Sequence, residues 1–331
     1  MSQTSWRTKT GVDLVVERAL MLKNIRAFFD AREVMEVETP LLSHSATTDP
    51  HLDSFSVCFR GRNCYLNTSP EYAMKRLLAD FRRPIFQVCK AFRDDELGAN
   101  HNPEFSLLEW YRPGFDMQQL MHEMAELITS LCVNSQHRVI LNPTFEYISY
   151  QQAFEYKLGI NPHATTAQQC SRLAFERGIT IPQGLTPDEE QLNDWLDWLL
   201  TEVVLPSFGK QSFTFLFDYP ASQCALAKIE INERQYQVAK RFELFFGETE
   251  LANGFYELTD ADVQLERFKN ENAEREANGK KTVPIDMQLI AALRHGLPEC
   301  SGVALGLDRL LMIIAEVSSI DEVISFAWND C

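Results

Sequence analysis

The sequence predicts an α+β fold, and three observations carry the prediction. Apolar and polar residues alternate on either side of a glycine-containing break over residues 54–65, 88–115 and 237–258, the pattern of strand pairs joined by turns. Two long stretches, 13–31 and 116–132, instead repeat their apolar residues at helical spacing. With 331 residues and 45% hydrophobic content, the chain can bury a sizeable core as one large domain or two modest ones.

Composition excludes several classes. A formal charge of -16 argues against a protein that holds nucleic acid through a broad basic surface and leaves room only for a local basic patch. No apolar run approaches the roughly 20 residues needed to span a bilayer. The N-terminal MSQTSWRTKTG has no signal-peptide core, so the expected compartment is the cytoplasm. Eight cysteines, at 58, 64, 89, 132, 170, 224, 300 and 331, form no CxxC pair and lie mostly in apolar runs, which suits reduced core thiols.

Taken in order, Leu14, Ala19, Leu22, Ile25, Phe28 and Phe29 define an amphipathic helix over Asp13 to Ala31. Val34 to Pro40 reads as an extended segment stopped by its proline. Ser54 to Tyr65 reads as a hairpin turning at Arg60-Gly61-Arg62-Asn63. A helix opens at Thr68-Ser69-Pro70-Glu71 and runs to Asp80, with Ser69 as N-cap and Pro70 at the first helical position. Glu71 has two readings, an acid favoured by the helix dipole or a ligand-binding group.

The stretch from Val88 to Phe115, VCKAFRDDELGANHNPEFSLLEWYRPGF, reads as a hairpin carrying Arg93, His101, several acids and three rings. Strand alternation places Arg93 with Asp95 on one arm, and Glu109 with Tyr111 on the other, on common faces. A polar turn with solvated charges is the competing reading. Asp116 to Cys132 follows as a helix whose methionine-rich stripe belongs to the core. Residues 150–206 contain about three helical patterns and read as a helical insertion or subdomain, or equally as a partner-specific part.

Strand character returns at Phe213 to Phe217, and QVAKRFELFFGETELANGFYEL over 237–258 supplies two arms bearing Glu243, Glu250 and Glu257. Pairing about Gly247 would set Glu243 and Glu250 nearly opposite, close enough to share a divalent cation, with surface exposure as the alternative relief of their repulsion. Asp260 to Ala277 reads as a charged outer helix. Cys300 to Arg309 reads as a short strand with spaced glycines running into a helix over Leu307 to Ala315. Glycines let a ligand approach the backbone, and Arg309 can stack on a base or meet a phosphate, though alone the pattern also fits an ordinary strand and helix.

As an ordered set these pieces become specific. The helix ending in Val37-Glu38-Thr39-Pro40, the hairpin from Phe92-Arg93 to His101-Asn102-Pro103-Glu104-Phe105, and Gly302 to Arg309 resemble motifs 1, 2 and 3 of class II aminoacyl-tRNA synthetases. HNPEF and ELANGFYEL are similar to the lysyl enzymes. The resemblance spans Val12 to Ile324 and implies a mostly antiparallel sheet flanked by helices rather than a Rossmann sheet. The first motif starts near residue 12, so a single catalytic domain over 1–331 is expected, without an N-terminal anticodon-reading OB-fold domain. The loop Glu96 to Asn100 also carries no basic residue to grip an acceptor stem. In these respects the chain resembles the family of elongation factor P β-lysine ligases, which modify a protein instead of a tRNA.

That resemblance implies ATP-dependent activation of (R)-β-lysine, more weakly α-lysine, and its transfer to a lysine ε-amine of elongation factor P. It implies ATP as substrate with magnesium, a homodimer built by the first motif, and no stable tRNA or membrane binding. It places Arg93 and Arg309 in catalysis, and Arg93, Asp94, Asp95, His101, Asn102, Phe105, Glu250, Leu251, Gly306 and Arg309 on the nucleotide. Glu243 and Glu250 would hold the metal. Ser69, Pro70, Glu71, Glu109, Tyr111, Asn253, Glu257 and Ala304 would bind the amino acid, the acids and hydrogen-bond acceptors among them meeting its two amines. Ala304 stands where lysyl-tRNA synthetases usually carry glycine, and its methyl would reshape the pocket near the α-carbon. One departure is Asp95, an aspartate where the family commonly has glutamate; it reaches adenine directly or through water. A truncated synthetase-like ligase with another acceptor and a non-catalytic regulatory paralogue are the alternatives.

Overall fold

The computed structural model describes residues 6–94, 97–137, 140 and 142–331, in two compact units. Met1–Pro143 with Thr259–Cys331 makes the first, and Thr144–Leu258 the second.

The first unit begins with α1 (Val12–Asp30), which buries Met21, Ile25, Phe28 and Phe29 as the apolar spacing requires. The extended segment after it contributes β1 (Met35–Glu36). The strands β2 (Leu42–Ser43), β3 (Ser56–Phe59) and β4 (Arg62–Leu66) form a small sheet in the order β2-β4-β3. Its tight turn places Arg60 (φ 50) and Gly61 (φ 76) in the left-handed region, the geometry of a two-residue hairpin turn. The next helix, α2 (Glu71–Phe81), starts one residue later than its sequence suggests. Pro70 has no N–H to cap, so the first donor that the Ser69 hydroxyl can accept from is the Glu71 amide, at 3.2 Å.

The central hairpin pairs β5 (Ile85–Phe92) with β6 (Glu104–Pro113), in register from Phe92↔Glu104 to Ile85↔Tyr111. An Asp116–Gln119 capping box opens α3 (Met117–Asn134), whose methionine-rich stripe is wholly buried.

The second unit runs through β7 (Phe145–Ser149), α4 (Tyr150–Leu158), α5 (Ala167–Glu176), α6 (Leu192–Leu199), β8 (Phe213–Pro220), β9 (Ile229–Ile231), β10 (Gln237–Phe246) and β11 (Thr249–Tyr256). Its sheet has the order β7-β8-β10-β11, parallel only at β7–β8, with β9 also on β10. The helices of 150–206 pack Phe154, Trp195 and Leu199 against Leu216, Ala239 and Phe245 of the strands, so this stretch shares one core with the sheet. Trp195 and Trp198 pack edge to face at 5.5 Å.

The chain re-enters the first unit at α7 (Ala261–Ala277), capped by Asp260, followed by α8 (Met287–Gly296), β12 (Cys300–Gly306) and α9 (Leu307–Ala315). Although α7 is highly charged, Arg275 on it is buried and pairs with Asp53, so this helix is not solvated all round. Strand β12 pairs antiparallel with β6, giving the order β1-β5-β6-β12 with only β1–β5 parallel. The architecture is α+β with mostly antiparallel pairing, as the sequence predicts. All eight cysteines are free, and four of them (Cys64, Cys132, Cys170 and Cys300) are buried. Among the described residues no helix is long and apolar enough to cross a membrane.

Candidate active site

In the first unit strand register defines one sheet face. Glu109 opposes Gln87 on β5 and Ala304 on β12; Tyr111 opposes Gly302, and Leu107 opposes Gly306. Directly opposed residues point to the same side, so Phe105, Leu107, Glu109 and Tyr111 share a face with Gly302, Ala304 and Gly306. From Gly302 to Gly306 the β12 side of that face carries nothing larger than the Ala304 methyl.

Both of these residues are only 2% exposed, and the Tyr111 hydroxyl donates to Glu109 Oε1 at 2.7 Å. A carboxylate buried this deeply needs hydrogen-bond donors to hold its charge. Burial, and then the Glu109 charge, push the neighbouring Cys89 thiol up to about 12. On α2, Glu71 Oε1 accepts from the ammonium of Lys75 at 2.6 Å, and Lys75 is itself buried. Glu71 is therefore more than a helix-start acid, because it neutralises a lysine held away from water.

The loop joining β5 and β6 carries the groups expected on a nucleotide. The Arg93 guanidinium lies 5.0 Å from the Phe105 ring centroid, a cation–π distance. Backbone bonds of 3.0 and 3.2 Å between Gly98 and His101 close the loop tip. Arg309, in the first turn of α9, donates to His101 Nε2 at 2.6 Å and to the Asn100 carbonyl at 3.2 Å. A guanidinium has no acceptor, so His101 Nε2 is unprotonated and accepts.

The Asn102 side chain is engaged at both ends, donating to the Glu104 carbonyl at 2.6 Å and accepting from the Trp328 amide at 2.9 Å. Asp94 donates its backbone N–H to the Asp53 carbonyl at 2.9 Å. Asp95 and Glu96 lie outside the described residues. A residue that sequence reasoning missed, Asp308, is buried at the start of α9 and accepts from the Ser106 amide at 2.6 Å while pairing with Arg18.

In the second unit the hairpin β10–β11 turns through Gly247, and its register departs from the expectation. A bulge at Leu244/Phe245 pairs Glu243 with Asn253 and Glu250 with Phe245, so the two glutamates are not opposite one another. The expected repulsion between them is also answered within the chain. Glu243 is buried, ion-pairs with Arg241 and accepts from the Tyr219 hydroxyl at 2.6 Å. Burial opposes the Arg241 charge, yet Glu243, Tyr219 and Glu250 hold its pKa above the ordinary arginine value. Burial, then Glu243, keeps the Tyr219 phenol protonated and donating. Leu251 is buried, Glu250 is exposed, and Glu257 is wholly buried.

Among the described residues no three histidines, cysteines or acids cluster as a self-sufficient metal site. Two carboxylates nonetheless fit a magnesium that arrives with phosphate, because that ion takes one or two protein carboxylates and completes its shell from phosphate and water.

The family model described as tRNA synthetases class II (D, K and N) matches residues 4–330. The chain is 46% identical to a protein of Pseudoalteromonas translucida named elongation factor P–(R)-β-lysine ligase, over 98% of both chains. It is 43% identical, again over 98% of both chains, to proteins of the same name from Salmonella paratyphi B and Salmonella schwarzengrund.

Proposed function

We propose, for a chain that belongs to the class II tRNA synthetase family (D, K and N), an AMP-forming ligase that joins (R)-β-lysine, and more weakly α-lysine, to a lysine of elongation factor P. The observation that carries the reading is the buried Glu109–Tyr111 pair beside Gly302, Ala304 and Gly306 on one sheet face, a buried acid that suits a substrate ammonium group. Support for the protein acceptor comes from the name of relatives 43–46% identical over nearly their whole length.

In the first step an oxygen of the amino-acid carboxylate attacks the α-phosphorus of ATP, forming the mixed anhydride and breaking the bond to pyrophosphate. Arg93 lies against the α-phosphate and offsets the charge that develops there. In the first unit His101 and Arg309 meet the γ-phosphate region, Phe105 and Arg309 hold adenine from its two faces, and Asp94 and Asn102 complete the contacts; in the second unit Leu251 is the residue assigned to the nucleotide. Gly306 leaves the backbone open to approach. Glu243 and Glu250 would hold magnesium, which supplies shielding of the phosphate charge. In the first unit Glu71, Glu109 and Tyr111 are assigned to the amino acid, with Ser69 and Pro70 shaping the approach to Glu71; in the second unit the residues assigned to it are Asn253 and Glu257. In the second step the ε-amine of the acceptor lysine attacks the activated carbonyl, forms the amide, loses a proton and expels AMP.

The exposed stripe Val12, Val15 and Val16 on α1 supports a homodimer, and the charge of -16 supports an enzyme that forms no stable complex with tRNA. The test incubates the purified chain with ATP, magnesium and (R)-β-lysine, in parallel with elongation factor P and with lysine tRNA. A mass increase of the factor by one β-lysyl group, with the tRNA uncharged, is expected. Charging of tRNA with an unmodified factor overturns the reading. Light scattering at micromolar concentration checks the dimer.

A further inference from the structure

The second unit contains one side chain that touches two of the residues assigned to ligands and has itself been given no part in binding. Arg241 of β10 uses all three of its guanidinium nitrogens. Nη2 pairs with Glu243, Nε donates to Asn253 Oδ1 at 3.3 Å, and Nη1 donates to the Gln223 carbonyl at 3.1 Å. Its plane lies over the Tyr219 ring at 4.7 Å, and the Tyr219 hydroxyl donates to the remaining oxygen of Glu243 at 2.6 Å.

These contacts fix two orientations. Glu243 and Asn253 are cross-strand partners on one face, and without a bridge each side chain could rotate independently. A guanidinium is donor-only, so the atom of Asn253 that faces it is the oxygen, and the amide nitrogen is turned away from Arg241. Both oxygens of Glu243 are likewise held, one by Arg241 and one by Tyr219, which aims their remaining lone pairs. A planar fork suits this double duty in a way that a lysine's single ammonium cannot.

We propose that Arg241, backed by Tyr219, is a positioning residue that sets the carboxylate of Glu243 and the amide of Asn253 together, so that the site for magnesium–nucleotide and the site for the amino acid are built by one guanidinium. The inference rests on the functional reading above, which puts Glu243 on the metal and Asn253 on the amino acid. It adds a residue that touches neither ligand and controls the binding of both. The Tyr219 hydroxyl bonds only Glu243, and its removal with the ring kept therefore separates positioning from general loss of structure.

The experiment is calorimetric titration of the full chain, in parallel arms, with magnesium and a non-hydrolysable ATP analogue and with (R)-β-lysine. Wild type, Arg241→Lys and Tyr219→Phe are compared, and thermal melting monitors folding. Arg241→Lys is expected to raise both dissociation constants about tenfold, the loss of one charged hydrogen bond at each site. Tyr219→Phe is expected to raise the magnesium–nucleotide constant severalfold and to leave the amino-acid constant unchanged. If Arg241→Lys leaves either constant at the wild-type value, or Tyr219→Phe weakens both ligands equally, the inference is wrong. Should the lysine variant fail to fold, Arg241→Gln takes its place, with the same expected and overturning results. Wild-type protein that binds neither ligand overturns the functional reading, an outcome distinct from wild-type binding with unaltered variants.

Discussion

The carboxylate of Asp308 accepts the backbone N–H of Ser106 at 2.6 Å and, through its other oxygen, pairs with Arg18 on α1. Ser106 follows Phe105 and Asp308 precedes Arg309, so this one buried acid locks strand β6 to helix α9 beside two residues assigned to the nucleotide. Replacing Asp308 by alanine strands a donor and a cation, and a cost on the order of 3 kcal/mol is expected. Asp308→Asn keeps the shape and should lose less. Thermal denaturation followed by circular dichroism measures both, and an alanine variant that melts with the wild type would refute the lock.

Lys75 and Glu71 make the same kind of argument on α2. Lys75 is 2% exposed, and its ammonium lies 2.6 Å from Glu71 Oε1. Lys75→Met leaves an unbalanced acid and is expected to cost on the order of 3 kcal/mol, while adding Glu71→Leu should recover much of the loss. Denaturant titrations of the four proteins in this cycle give the coupling energy. A coupling near zero would mean that solvent, and not the pair, balances these charges.

Stability should also carry a pH signature from Glu271 on α7. Burial raises its carboxyl from 4.5 to about 7, against the opposing hydrogen bond from Thr48. The folded chain then binds more protons than the unfolded chain between about 4.5 and about 7. Stability supplied by the protonated carboxyl is therefore present at the acid end of that window and is lost as pH rises through it. The expected loss is on the order of 2 kcal/mol, allowing for solvent screening of a partly exposed group. Glu271→Gln should flatten this part of the profile, and a variant whose melting temperature still falls in parallel with wild type would exclude Glu271 as its source.

Glu257 is 0% exposed, a burial that a carboxylate tolerates best opposite a cation. On the ligase reading Glu257 also meets a substrate amine. Glu257→Gln keeps the volume and should lower kcat/KM for the amino acid by about a hundredfold, mainly through KM, with the KM for ATP little changed. ATP–pyrophosphate exchange measured against each substrate separates the two. An equal rise in both KM values would place Glu257 in the fold and not on the amino acid.

Ala304 opposes Glu109 across the β6–β12 pair, which sets its methyl about 5 Å from the first side-chain carbon of that acid. Ala304→Gly removes one carbon there and should shift the preference toward α-lysine by about tenfold, the usual worth of a methyl-sized change in a pocket. Competition between the two amino acids in the exchange assay reads the ratio. A ratio identical to wild type would move the determinant elsewhere.

The sequence by itself determined most elements and the common side of Glu109 and Tyr111 on β6, because both depend on short-range rules. Alternation places Glu109 and Tyr111 together whatever their surroundings, and the period of α3 buries its methionines without knowledge of a partner. The ordered motifs identified the family for the same reason, since they record local spacing. What alternation could not supply was the turn register Phe246↔Thr249 and the bulge at Leu244/Phe245, which together set Glu243 opposite Asn253 and Glu250 opposite Phe245. Nor could it find the partners of buried charges. Tyr219 is 24 residues from Glu243, Ser106 is 202 from Asp308, and Arg18 is 290 from it. A buried ion or donor must be matched by whichever group the fold brings within about 3 Å, a condition set by chain packing in three dimensions and invisible in sequence separation.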